Sequence, residues 1–272
     1  ENVLWFCTEG NGVFYIPFLN FRYYSPADGF SESKISCVTK AGNKVICGHL
    51  DGTISILRQQ NVQSIHFNPD TFSTSSANRT TGMACNGQDQ IYIGTIKNIF
   101  AVNLKTLTTA IILESGSKAL IPSADGNLWS LQFNNLVKYA PGTSFRLLTT
   151  TALNTYSDNI FEDHTGKVWI CPTTSVWSWN ATTGVTDEGK NVPLLNTRIV
   201  DVEEDKEGNI WMVSRGNGVI VKKGNNYFNI TQQNGLSGNM CRTIFIDSGN
   251  VAWVGTNNGL SKIQLEKGKE FR

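Results

Sequence analysis

Three aspartates fall 42 residues apart, at Asp163, Asp205 and Asp247, and each is followed six residues later by a tryptophan, Trp169, Trp211 and Trp253. A period near 40 residues constrains the whole fold, because a unit that short cannot bury its own apolar face and has to stack on copies of itself. The segments around the three pairs align along their length: "IFEDHTGKVWICPTTSVWSW" (160–179), "DVEEDKEGNIWMVSRGNGVIV" (201–221) and "IFIDSGNVAWVGTNNGLSKI" (244–263). Carried backwards, the same frame finds Trp129, Tyr92, Ile46 and Trp5, giving seven anchors separated by 41, 46, 37, 40, 42 and 42 residues.

Each unit has one internal grammar. An apolar alternating run such as "RTIFI" leads into a turn rich in Asp, Gly and Asn ("DHTGK", "DKEGN", "DSGN"), where Gly and Asn tolerate the positive φ of a tight hairpin. The run with the aromatic anchor follows, then a second polar turn, a third apolar run and a weaker fourth run such as "YFNI". Four short strands per repeat without helical periodicity predict an all-β, seven-bladed β-propeller of four-stranded antiparallel blades, forming a single domain over residues 1–272.

In that frame Trp5, Trp129, Trp169, Trp211 and Trp253 are structural anchors filling the space between blades. Asp163, Asp205 and Asp247 are expected to bond the backbone of their own hairpins. Trp177 and Trp179 align with Phe100 and Val102 and are read as packing residues. The first unit starts almost at Trp5, without a preceding strand, so the first blade is expected to be incomplete and the chain to be a piece of a longer receptor.

Composition narrows the function. Lys plus Arg number 23 against 22 Asp plus Glu, a formal net charge of +1, which leaves no electrostatic footprint for nucleic acid. No apolar run reaches the ~20 residues of a membrane-spanning helix, so no insertion by this segment is expected. The six cysteines form no CxxC or Cys/His cluster, predict no metal site and read as buried thiols, with one disulfide left open. No phosphate loop, GxSxG elbow or HExxH is present, and no cofactor is expected.

The residues resemble the two-component regulator propeller repeat, found in periplasmic portions of hybrid histidine kinase sensors of Bacteroidetes. "NGLSGNMCRTIFIDSGNVAWVGTNNGLSKI" (234–263) matches its Gly-Leu-Ser, Asp-x-x-Gly, Trp-x-Gly-Thr and Asn-Gly-Leu elements closely, and "YYSPADGFSESKISCV" (23–38) matches the leading part. Repeats 80–104 and 117–140 depart from it, the first with Tyr92 for Trp and the second without Gly-Thr. The resemblance implies a periplasmic sensing module without enzymatic activity, whose partners are an oligosaccharide or other small ligand and the remainder of the parent receptor. A purely structural or dimerising propeller, as in a homodimer, is one alternative. The segment "LWFCTEGNGV" also looks like a repeat of the metal-assisted streptogramin lyases, a second alternative that needs histidines and a carboxylate converging near the axis.

Propeller topology says where a ligand would sit. The turns between second and third strands share one end of the disc with the connections that lead into the next blade. The candidate binding residues there are His49, Asp51, Lys97, Asn134, Arg215 and Asn257 in the turns, with Glu9 beside them, and Arg198 and Arg79 in the connections.

Overall fold

A computed structural model describes the backbone of residues 4–8 and 12–16, and residues 24–31, 34–67, 78–87, 89–142 and 144–264 with their side chains. Blade 1 comprises Ile35–Ala41, Lys44–His49, Thr53–Arg58 and Asn61–His66, and blade 2 comprises Gly82–Asn86, Gln90–Gly94, Ile99–Asn103 and Thr109–Leu113. Blade 3 comprises Ala119–Pro122, Leu128–Gln132, Asn135–Ala140 and Arg146–Ala152, and blade 4 Ser157–Glu162, Val168–Pro172, Trp177–Asn180 and Gly184–Asp187. Blade 5 comprises Ile199–Glu204, Ile210–Ser214, Val219–Lys223 and Asn226–Ile230, while blade 6 has three strands, Cys241–Ile246, Ala252–Thr256 and Gly259–Ile263. All pairings are antiparallel and sequential, and the first strand of each blade packs on the first strand of the next.

The expectation of seven blades is corrected to six. The segment carrying the first anchor forms a two-stranded hairpin, Leu4–Thr8 with Gly12–Ile16, in which Trp5 lies opposite Tyr15. The two strands described for that segment offer too little face to be sandwiched as a blade. The side chain of Trp5, like that of Glu9, lies outside the described residues.

The hairpin chemistry repeats in three dimensions. In blade 4 the Asp163 N–H donates to the Lys167 carbonyl and Gly166 N–H to the Asp163 carbonyl, with Gly166 at φ 80°. Blade 5 repeats this with Asp205, Asn209 and Gly208, and in blade 6 Asn250 takes the left-handed position at φ 63°. The aspartate ties turn to blade. Oδ1 of Asp163, Asp205 and Asp247 accepts from turn backbone N–H groups, while Oδ2 accepts from the indole N–H of Trp169, Trp211 and Trp253, each at 2.8 Å. The six-residue spacing is therefore a hydrogen bond that satisfies an indole donor in the interior.

Blade 3 solves the same problem with its neighbour. Ser123 stands where the aspartate would be, and Glu162 from blade 4 accepts from the Trp129 indole (2.9 Å), the Ser123 hydroxyl (2.9 Å) and the Ala124 N–H (2.9 Å). Glu204, 42 residues after Glu162, likewise reaches back from blade 5 and accepts from the backbone N–H of His164 in blade 4 (2.8 Å). Carboxylates at the end of one inner strand thus staple the previous blade's turn.

The core lies between blades rather than within them. Ile46 and Ile54 pack with Ile91 and Phe100 across blades 1 and 2, Trp129 with Ile160 and Val168 across blades 3 and 4, and Trp211 with Ile244 and Val254 across blades 5 and 6. Trp129, Trp169 and Trp211 are at most 2% exposed, whereas Trp253 in the last, three-stranded blade is half-buried. Trp177 and Trp179 pack against the Trp129 cluster, and Trp179 meets the Trp129 ring edge to face at 4.9 Å.

No helix among the described residues is long and apolar enough to cross a membrane. Cys37, Cys47, Cys85, Cys171 and Cys241 are all free thiols, and burial pushes each of them above the ordinary thiol range, Cys37 to about 11.

Candidate ligand-binding site

At one end of the propeller, the turn between second and third strands is bonded to the connection leading into the next blade. The Thr80 N–H donates to the His49 carbonyl (3.2 Å), Ser117 N–H to Thr95 (2.7 Å), and Gly218 N–H to Asn239 (2.9 Å). Gly116 makes one of these approaches feasible, since a Cβ there would sit 1.9 Å from the carbonyl oxygen of Ile96. Inner strands of blades 1, 4, 5 and 6 carry a β-bulge at this same end, between Ile35 and Cys37, Ser157 and Asn159, Ile199 and Asp201, and Cys241 and Thr243. A bulge bends a strand and re-aims the adjacent side chains, as it does beside many binding sites.

This end gathers the protein's unsatisfied polarity. Among the described residues, four buried side-chain polar atoms lack a hydrogen-bond partner: Thr80 Oγ1, Lys118 Nζ, Ser157 Oγ and Arg198 Nε. They belong to blades 2, 3, 4 and 5 in order, each within two residues of the start of the inner strand. Named contacts join them into one arc. Thr81, next to Thr80, donates its hydroxyl to the Ser117 carbonyl; Lys118 follows and places its ammonium over the Tyr156 ring, 2.8 Å from the centroid. Tyr156 precedes Ser157 and Asp158, and Asp158 Oδ2 accepts from Arg198 Nη2 at 2.6 Å. A buried polar atom left unpaired costs about 1–3 kcal/mol. Four of them in consecutive blades make this end the place where hydrogen-bonding capacity is left over among the described residues.

Two acids on the inner strand of blade 5 are perturbed, Asp201 toward the arc and Glu203 beside Glu204 toward the opposite end. Asp201 is pushed above the ordinary carboxylate range by burial, against the pull of the Ile244 N–H (3.0 Å) and the Thr243 hydroxyl (2.8 Å). Glu203 is raised to about 7, first by burial and then by the nearby Asp201. Blades 4 and 6 place Phe161 and Phe245 where Glu203 stands.

The residues expected from the sequence divide into three groups. Arg198 lies in the arc, and Arg215 joins it through a backbone bond from its N–H to the Arg198 carbonyl (2.9 Å). Lys97, Asn134, Asn257 and Arg79 are exposed at the same end. His49 and Asp51 are tied up: His49 is fully buried, with Nε2 2.8 Å from the Ser55 hydroxyl, and Asp51 accepts from the Thr53 N–H (3.0 Å) and the Ser31 hydroxyl (3.2 Å). Lys118, Tyr156, Ser157, Asp158 and Thr80 escaped the sequence reading. Their segments vary in length and composition from repeat to repeat, and only their alignment with the starts of inner strands would have drawn attention to them.

Cavities of about 880 and 780 Å³ open at the opposite end, between blades 1 and 2 and between blades 3 and 4. Their charged groups already serve each other, through Lys44 and Lys105 on Asp89 (3.1 and 2.8 Å) and Lys138 on Asp125 (2.7 Å). Volume there reflects the wedge between diverging blades.

No family model matches the chain, and no curated protein matches it. Solved structures do. The extracellular domain of BT4673 from B. thetaiotaomicron, assigned to a hybrid two component system, superimposes with a TM-score of 0.67 at 18% identity, over 98% of this chain and 37% of that one. The extracellular domain of BT3049, another such system of that organism, gives 0.67 at 17% identity over 96% and 38%. Virginiamycin B lyase from Staphylococcus aureus with quinupristin gives 0.69 at 13% identity over 94% and 86%. The chain therefore spans well under half of the sensor chains it matches. What is shared at these identities is the β-propeller fold, the fold of the sensor portions that the repeat signature resembles.

Proposed function

We propose that the chain is a ligand-sensing propeller of a two-component sensor ectodomain, located in the periplasm as part of an inner-membrane receptor, and that it responds to an oligosaccharide seated on the arc from Thr80 to Arg198. The observation that carries this reading is the run of four unpartnered polar atoms in four consecutive blades at the end where turns and connections meet. Saccharides present many donors and acceptors on a compact frame, which suits a ring of hydroxyl, ammonium and guanidinium groups. The likeness to sensor extracellular domains supports it, and the remainder of the parent receptor would read the occupancy.

The lyase reading finds less support in the geometry. The three histidines lie apart: His49 inside blade 1, His66 at the end of its outer strand, and His164 in the first turn of blade 4 at the opposite end, paired with Glu204. Thermal-shift screening against plant and host oligosaccharides tests the sensing reading. A ligand that raises Tm for the wild type and not for a Thr80→Ala, Ser157→Ala variant is expected. Equal shifts in both proteins, or no shift across the whole series, would overturn it.

A further inference from the structure

We infer that the group seated on this arc is anionic: the ligand presents a carboxylate, sulfate or phosphate to Lys118 and Arg198. The inference rests on the arc being the ligand site and goes on to name the charge of what it holds. The Lys118 ammonium nitrogen is buried without a hydrogen bond, and the aromatic face of Tyr156 is a weaker partner for it than a counter-charge would be. Neutral hydroxyls would supply acceptors, but a buried cation recovers its hydration cost fully only from a counter-charge. Arg198 points the same way. Its Nη2 is engaged by Asp158, while Nε, next to it on the same edge of the guanidinium, is buried without a hydrogen bond, so the residue is held in place with one donor unsatisfied.

The surroundings agree in sign. Arg79, Lys97 and Arg215 are exposed at the same end. The acids there are mostly committed: Asp158 is paired with Arg198, Asp51 is held by Thr53 and Ser31, and Asp187 accepts from Ser175 (2.7 Å) and Gly189 (3.1 Å). Glu114 in the connection to blade 3 is exposed. The hydroxyls of Thr80 and Ser157, at 1% and 0% exposure, add neutral donors on either side of Lys118. A saccharide carrying a uronate or sulfate group supplies both an anion for the cations of the arc and a polar frame for its hydroxyls.

The test is an NMR titration of the isotopically labelled protein with trigalacturonate, with its neutral methyl ester, and with inorganic sulfate. Trigalacturonate is expected to shift the amides of Thr80, Lys118, Ser157 and Arg198, to bind more weakly as salt rises, and to lose about tenfold or more in affinity in Lys118→Met and in Arg198→Gln. Sulfate shifting the same four amides would place the anion itself in the arc, independently of the sugar. Lys118→Met also removes a buried unpaired charge, so the variant should melt no lower than wild type, which separates lost binding from lost folding. If the methyl ester shifts the four amides as strongly as the acid, charge recognition is wrong while the sensing reading stands. If none of the three probes moves them, the anionic assignment falls, and the oligosaccharide screen then decides the sensing reading separately.

Discussion

Replacing Asp205 by Ala removes an acceptor of four hydrogen bonds, from the Glu207 and Asn209 N–H groups, the Asn209 side-chain amide and the Trp211 indole. Asn209 and Trp211 are 3% and 2% exposed, so water cannot take over. Stranding two or more buried donors at about 1–3 kcal/mol each gives a loss of roughly 3–5 kcal/mol. For a domain of this size that is a fall in Tm on the order of 10 °C. The same change at Asp247 should cost clearly less, because Trp253 is half-buried in the last blade and solvent reaches both groups. Thermal and urea melts of the two variants give the comparison, with Trp211→Phe as the partner in a double-mutant cycle, since removing the indole removes the need for its acceptor. Equal losses for Asp205→Ala and Asp247→Ala, or no coupling between Asp205 and Trp211, would refute the view that the repeat's spacing encodes this bond.

Three further outcomes follow from the geometry. Glu162→Ala should destabilise the protein by about 2–3 kcal/mol through the stranded Trp129 indole, and adding Ser123→Asp should recover part of that loss by rebuilding the Asp-to-Trp bond within blade 3. Glu203 is raised to about 7 in the fold, so the native state binds a proton that the unfolded chain has released between pH ~4.3 and 7; its contribution to stability is present at low pH and is lost as pH rises through 7. Glu203→Gln should therefore leave the melt at pH 4 nearly unchanged and raise stability at pH 8 by roughly 2–4 kcal/mol, and an equal effect at both values would show the carboxyl to be solvated. With the Cys37 thiol at about 11, only about one molecule in a thousand carries its thiolate at pH 8, so iodoacetamide should leave Cys37 unmodified in the folded protein, as judged by mass spectrometry.

The fold was legible because its grammar is local. A turn that needs a left-handed residue announces itself through Gly126, Gly166, Gly208 and Asn250, and the aspartate six residues before each tryptophan records a bond within one hairpin. Blade number was harder, because counting anchors credits Trp5 with a blade when the described strands of its segment are two, paired as a hairpin. The substitution of Glu162 for the missing aspartate of blade 3 was hidden for another reason: its partner Trp129 lies 33 residues away and in the preceding blade. The candidate site was legible as an end of the disc and not as a set of residues. Arg198 and Arg215 belong to it, but His49, chosen for its place near a turn, sits in a strand and turns inward to Ser55. Lys118 and Ser157 gain their meaning from partners they lack, which only three-dimensional structure displays.

Hydrogen–deuterium exchange with and without a saccharide that raises Tm tests the central claim most directly, because it reports every backbone segment at once. Protection confined to peptides covering 78–81, 116–119, 154–159 and 196–199 is the predicted result. Protection concentrated instead at the opposite end, in the turns 164–166 and 206–208 or beside the cavity lined by Lys44 and Arg58, would contradict it.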